Sequence, residues 1–157
     1  MNIVEIVASG IMGTVFLDLW QQGLRLATGL PAGNWGLVGR WFGHAARGTF
    51  FHEPIAKAEP VNNEIVIGWV GHYAVGVLYG LVYVVLIRTV LGLEPSLANG
   101  LVFGVASVVV PWFYFMPAMG AGVLGNKTAA PLIACLQSLA SHTACGLGLA
   151  VGSLMVA

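Results

Sequence analysis

Charge is what this chain has least of. Six basic and six acidic residues among 157 amount to 8% charged, against about 25% in a typical soluble domain. With a formal net charge of zero and no basic run, the chain offers no electrostatic footprint for nucleic acid. Cysteine is nearly as scarce: Cys135 and Cys145 fall ten residues apart on one apolar stretch, about 15 Å along a helix, beyond the reach of a disulfide. There is no Cys-x-x-Cys, which disfavours a quinone-linked disulfide oxidase or a thiolate zinc site, and no Cys-x-x-Cys-His for covalent haem. The glycines Gly36, Gly39, Gly43, Gly120, Gly122 and Gly125 have no Gly-Lys-Ser/Thr ending, so they form no phosphate loop. Ser138 and Ser141 lie in no nucleophile motif, which leans the reading away from an enzyme and leaves the question open. No internal repeat of the inverted-transporter kind is evident.

What is present is apolar. Hydrophobic residues make up 58% of the chain and the mean hydropathy is +0.88. Residues 65–87, 95–126 and 128–157 contain no Asp, Glu, Lys or Arg, whereas about 20 apolar residues suffice to cross the hydrocarbon core. Residues 3–24 make a fourth such stretch, interrupted by Glu5 and Asp18. Without Lys or Arg ahead of it, this first segment reads as a retained span and not a cleaved signal peptide. The expectation is one all-α polytopic domain of four transmembrane helices, at about 3–26, 63–91, 96–116 and 130–156, with a long interfacial first loop over 31–62. Helix two is long enough to tilt or protrude. Helix three starts at Glu94-Pro95-Ser96, where proline suits the first turn and serine can cap it.

Basic residues set the expected orientation. Arg25, Arg40, Arg47, Lys57 and Lys127 belong to the first and third loops, and only Arg88 lies on the other side. The positive-inside rule then places those loops in the cytoplasm and both termini outside. The first loop interleaves Trp35, Leu37, Val38, Trp41, Phe42, Phe50 and Phe51 with Arg40, His44, Arg47 and His52. That mixture suits a short amphipathic helix at the cytoplasmic interface, arginines outward, acting as an anchor or as a lid.

The polar residues inside the spans mark a candidate site. His72 sits on a stripe with Glu64, Gly68, Gly76 and Gly80, and His142 on one with Ser138, Cys145 and Gly146. Three- and four-residue spacing keeps each set on one helix face, and small residues let a neighbouring helix approach. On helix one, Thr14, Asp18, Gln21 and Gln22 share a face. Counted from the cytoplasmic helix ends, Asp18, His72 and His142 lie roughly 12–18 Å deep at 1.5 Å per residue. An aspartate at mid-membrane costs about 2.5–3.5 kcal/mol, which makes Asp18 a functional candidate by default. Its plain alternative is a structural partner for His72 or an arginine. Glu64 reads as a helix-start carboxylate, and Glu5 and Glu94 as outer-interface residues. Pro111 frees the carbonyl of Ser107 from its helical bond.

The run Asp18-Leu19-Trp20, then Leu37-Val38-Gly39-Arg40-Trp41, Gly43-His44, Phe50, His52, Ile55-Ala56, Pro60-Val61, Glu64, Gly68-Trp69 and His72-Tyr73 resembles a family of bacterial multi-pass inner-membrane proteins, that of domain of unknown function 2938. The likeness continues through Pro111, residues 117–122, Ser138-Leu139, His142, Gly146 and Gly148. Met116 stands where the family pattern leads one to expect glutamine, and Thr128-Ala129-Ala130-Pro131 replaces a more proline-rich stretch. The resemblance implies an inner-membrane location and four helices, and it supplies no activity.

Three functional readings stay open. In the first, a small ligand or ion is bound, or transported with proton coupling, at Asp18, His72 and His142, with Glu64, Arg40 and His44 as further binding candidates. A chain this short would then work as a homo-oligomer, and Gly76-x-x-x-Gly80, Gly100-x-x-x-Gly104 and Gly148-x-x-x-Gly152 offer faces for internal or intersubunit packing. In the second, His72 and His142 ligate a haem, or His72, His142, His44 and His52 supply a non-haem metal in a redox subunit. In the third, the histidines only knit helices together in an accessory subunit of a membrane complex. The lipid bilayer is the one partner common to all three, and the sequence names no cofactor or metal.

Overall fold

The computed structural model describes residues 2–156. Asn2 opens α1 (Ile3–Thr28) by accepting the Val4 N–H at 3.0 Å, and Gly29, at φ 73°, closes it by donating to the Arg25 carbonyl. Helix α2 (Trp35–Ala45) starts the same way, with Asn34 accepting from Leu37 at 3.2 Å. Helix α3 (Glu64–Val84) widens into a π-helical turn, Val85–Val90. Helix α4 (Leu97–Ser107) begins in a reciprocal cap in which Ser96 and Asn99 each receive the other's backbone N–H, two orphan donors satisfied together. A π-helical segment at Pro111–Phe115 leads into the short α5 (Met116–Ala118), and α6 (Pro131–Leu154) completes the chain. Among the described residues there is no strand. Four helices, Ile3–Thr28, Glu64–Val90, Leu97–Ala118 and Pro131–Leu154, are long and apolar enough to cross a membrane. The chain is a multi-pass membrane protein on that ground, and each span falls within a few residues of its expected place.

The chain divides into two compact units, with boundaries inside α3 and α6. The first comprises Met1–Ala32, His72–Ser107 and Ala140–Ala157. Its helices meet through glycine. A methyl group on Gly76 or Gly80 would strike Thr14, Gly10 or Ile6 of α1; on Gly148 or Gly152, the α1 backbone from Ala8 to Gly13; on Gly100 or Gly104, the α6 backbone at His142 and Gly146. All three Gly-x-x-x-Gly pairs are therefore used in packing within this unit. Ile6, Tyr83, Val84, Ile87, Cys145, Leu149 and Ala150 fill its core. Ser9 adds a buried hydrogen bond to the Leu149 carbonyl at 2.7 Å. Without bulk water between helices, close backbone approach and such bonds take over from the hydrophobic effect.

The second unit comprises Gly33–Gly71 and Val108–Leu139. Trp41, Ile55 and Ala118 form its core, with Phe42, Phe115 and Met119 packed against them. The Trp41 indole N–H donates to the Phe50 carbonyl at 2.8 Å, giving a buried tryptophan the partner it needs. Helix α2 crosses the start of α3 so closely that a methyl on Gly39 would overlap the Glu64 carbonyl, and one on Gly68 the Trp35 carbonyl. Backbone bonds from His52 to Ala118 and from Ile55 to Met119, both 3.0 Å, tie the long first loop to the end of the third span. The expected short helix in that loop is α2. Its Trp41 is buried and Arg40 turns inward, whereas Arg47 is exposed; only Arg47 follows the outward-arginine expectation, because Arg40 has an acidic partner.

Candidate functional site

In the first unit, α1 presents Asp18 and α3 presents His72 at its side. The His72 Nε2–H donates to Asp18 Oδ1 at 2.9 Å, and the Tyr73 hydroxyl donates to Oδ2 at 3.2 Å. Both carboxylate oxygens are thus held, and the His72 and Tyr73 rings meet edge to face at 5.6 Å. Close approach of α1 and α3 at Gly76 and Gly80, one and two turns along from His72, fixes the spacing that makes the pair possible. The side chains are 22% exposed for Asp18 and 11% for His72. A carboxylate–imidazole pair is net neutral when both ring nitrogens carry protons and has one negative charge when the imidazole is neutral. Lone charges are expensive in a membrane.

His142 joins a different group. Ser107 Oγ gives its proton to the Gly104 carbonyl at 2.8 Å, so the His142 Nδ1–H donates to Ser107 Oγ at 2.9 Å. The ring also packs on Tyr79, with centroids 5.8 Å apart. The matched depth of Asp18, His72 and His142 therefore resolves into one pair plus one histidine bonded to α4. It is the hydroxyl of Ser107, on the Gly100–Gly104 stripe, that reaches the histidine.

Arg40, Glu64, His44 and His52 are in the second unit. Arg40 makes a two-pronged pair with Glu64, Nε to Oε2 at 2.9 Å and Nη2 to Oε1 at 3.0 Å, while Nη1 donates to the carbonyls of Ala56 and Ala58, each at 3.1 Å. The Glu64 hydrogen bonds hold the guanidinium pKa above its already high ordinary value, and four of its five N–H groups are taken up by the chain itself. Glu64 also accepts weakly from the Val61 N–H at 3.4 Å, so it ties α2 to the loop that leads into α3. His44 Nε2 donates to the Glu59 carbonyl at 2.9 Å, and the His44 and His52 rings lie 5.1 Å apart. His52 Nε2 is shielded from solvent without a hydrogen-bond partner. Among the described residues no three His, Cys, Asp or Glu side chains converge as a metal site would require, and Cys135 and Cys145 are both free thiols.

A buried ionic cluster in the first unit went unread in the sequence. Glu5, only 4% exposed, accepts from Arg88 Nε at 2.7 Å and from the Ser153 hydroxyl, and Arg88 Nη1 reaches Glu94 at 2.6 Å. Beside it, the Tyr83 hydroxyl donates to Asn99 Oδ1 at 2.8 Å. The signal was available: Arg88 is the one basic residue at its end of the helices, and Glu5 lies at the matching depth on helix one.

No curated protein and no solved structure matches the chain. Residues 7–156, nearly the whole length, match the family described as protein of unknown function, DUF2938. The chain belongs to that family.

Proposed function

We propose that this chain is a bacterial inner-membrane protein, with its first and third loops in the cytoplasm and both termini outside, that exchanges a proton for a small ligand or ion at Asp18 and His72. The observation that carries the proposal is the 2.9 Å bond between two ionisable side chains of two membrane spans, partly exposed and braced by Tyr73. A cation class of ligand fits this pair best, because a cation that binds the Asp18 carboxylate as a doubly protonated His72 ring gives up one proton leaves the charge in the membrane unchanged. His142, bonded to Ser107 and set edge to face against Tyr79, positions α6 against α4.

The test is a reconstituted vesicle with a trapped pH dye, challenged with inward gradients of alkali cations and small organic ammonium ions. Wild-type protein moves protons outward with at least one of these cations, and a folded Asp18→Asn variant does not. Identical traces from both proteins across the panel reject the reading. A helix-knitting role is favoured by the contacts of His142 alone; it predicts that His142→Asn lowers thermal stability in detergent and leaves the proton traces intact.

A further inference from the structure

The second unit contains a cavity of about 410 Å³, within the roughly 300–1,000 Å³ range of small-molecule sites. It is built where the third span ends at Ala118 and before the fourth begins at Pro131, the depth at which lipid headgroups meet protein. Its polar side carries Glu53, Asn126 and Lys127, and its apolar side carries Phe51, Pro117 and Val123. Lys127 Nζ donates to Glu53 Oε1 at 3.0 Å, with the two side chains 57% and 83% exposed. An ion pair so open contributes little by itself and yields readily to a ligand that replaces both halves.

The walls are set in advance. Gly120 passes the backbone of His52 and Pro54 too closely for any side chain, and at Gly122 a methyl would strike the Asn126 side-chain oxygen. The Lys127 N–H is fixed to the Ala121 carbonyl at 2.9 Å. Leu124, on the same loop, holds φ 52°, a left-handed conformation that crowds its Cβ against the following carbonyl, and such strain collects at ligand-holding sites. The side chains of Phe51 and Val123 are 62% and 45% exposed, an apolar rim beside a charged pair.

We infer that this cavity binds a phosphoethanolamine-type zwitterion, its phosphate against Lys127 and the Asn126 amide, its ammonium against Glu53, and its carbon chain along Phe51 and Val123. A plain anion would meet the Glu53 carboxylate and a plain cation the Lys127 ammonium, so only a ligand bearing both charges satisfies both. The same chemistry occurs in an ethanolamine phospholipid headgroup and in the soluble phosphomonoester.

The experiment uses full-length protein in detergent, with native mass spectrometry during titration by phosphatidylethanolamine or phosphatidylglycerol of the same acyl chains. The wild type retains the ethanolamine lipid about fivefold more strongly; Glu53→Ala removes that preference, and Lys127→Ala weakens retention of both lipids by a similar factor, about the worth of one exposed charge contact. Both positions are exposed, and unchanged melting curves show that the variants are folded. Displacement of the lipid by millimolar phosphoethanolamine assigns the site to the zwitterion from either source, and its failure to displace assigns it to the lipid alone. Equal retention of the two lipids by the wild type, a preference that survives Glu53→Ala, or retention unchanged by Lys127→Ala overturns the inference.

Discussion

Replacing Arg88 with leucine isolates the electrostatic cost hidden near the end of α3. Glu5 is 6% exposed at its side chain and takes hydrogen bonds from Arg88 and Ser153, so removing the arginine leaves a buried carboxylate with one neutral donor. Breaking a fully buried pair costs about 3–5 kcal/mol; Arg88 is one-quarter exposed, which brings the expectation down to about 2–3 kcal/mol. At about 2–4 °C of melting temperature per kcal/mol in chains of this size, Arg88→Leu should melt roughly 4–12 °C lower in detergent. Glu94 binds the same guanidinium at 2.6 Å but is 86% exposed, and Glu94→Gln should therefore cost less than about 1 kcal/mol. The decisive variant is the double one, Glu5→Gln with Arg88→Leu, which leaves no unpaired charge and should recover part of the loss. A double variant as unstable as Arg88→Leu, or a Glu94→Gln loss of equal size, would refute the reasoning.

Glycine packing makes opposite forecasts at two sites: Gly80→Ala, whose methyl meets the backbone of Ile6 and Gly10, lowers the melting temperature, whereas Gly23→Ala, with open space around it, raises it by the equivalent of about 0.5–1 kcal/mol. Calorimetry of both variants in one detergent checks the pair. Arg40→Lys cannot reproduce the fork to Glu64 and the bonds to two carbonyls, so hydrogen exchange of residues 55–64 accelerates while the helices far from the loop keep their protection. A periplasm-active phosphatase fused after Ala157 should be active in intact bacterial cells, and the same reporter fused near Lys57 or Lys127 silent; the reverse pattern would put the Asp18–His72 pair in the outer half of the bilayer.

The spans were legible because twenty apolar residues bounded by Gly29, Pro95-Ser96 and Pro131 leave little freedom for a membrane chain. The π-helical turns at Val85–Val90 and Pro111–Phe115 were not, since one extra residue per turn follows from packing and not from a residue pattern. Depth along the helix brought out Asp18 and His72 as neighbours. It could not separate His142 from them, because depth says nothing about which face each helix presents, and the Gly100–Gly104–Ser107 stripe that receives His142 was the missing azimuth. Tyr73 escaped notice because residues one apart point about 100° away from each other on an ideal helix; it meets Asp18 only through a long side chain. Arg40 was read by the amphipathic pattern of its own loop, and its bond to Glu64 depends on α2 crossing α3 at Gly39 and Gly68, a tertiary event with no local signature.

The central claim, that the Asp18–His72 pair trades its proton for a small cation, is tested most directly by proton release from the purified protein. Cation is added to detergent-solubilised protein in weakly buffered solution near neutral pH, and released protons are counted against protein concentration. The account predicts a saturable release approaching one proton per chain for at least one alkali or organic ammonium ion, absent in Asp18→Asn and altered in its pH dependence in His72→Gln. Release that is absent in the wild type for every cation, or equal in wild type and Asp18→Asn, would contradict it.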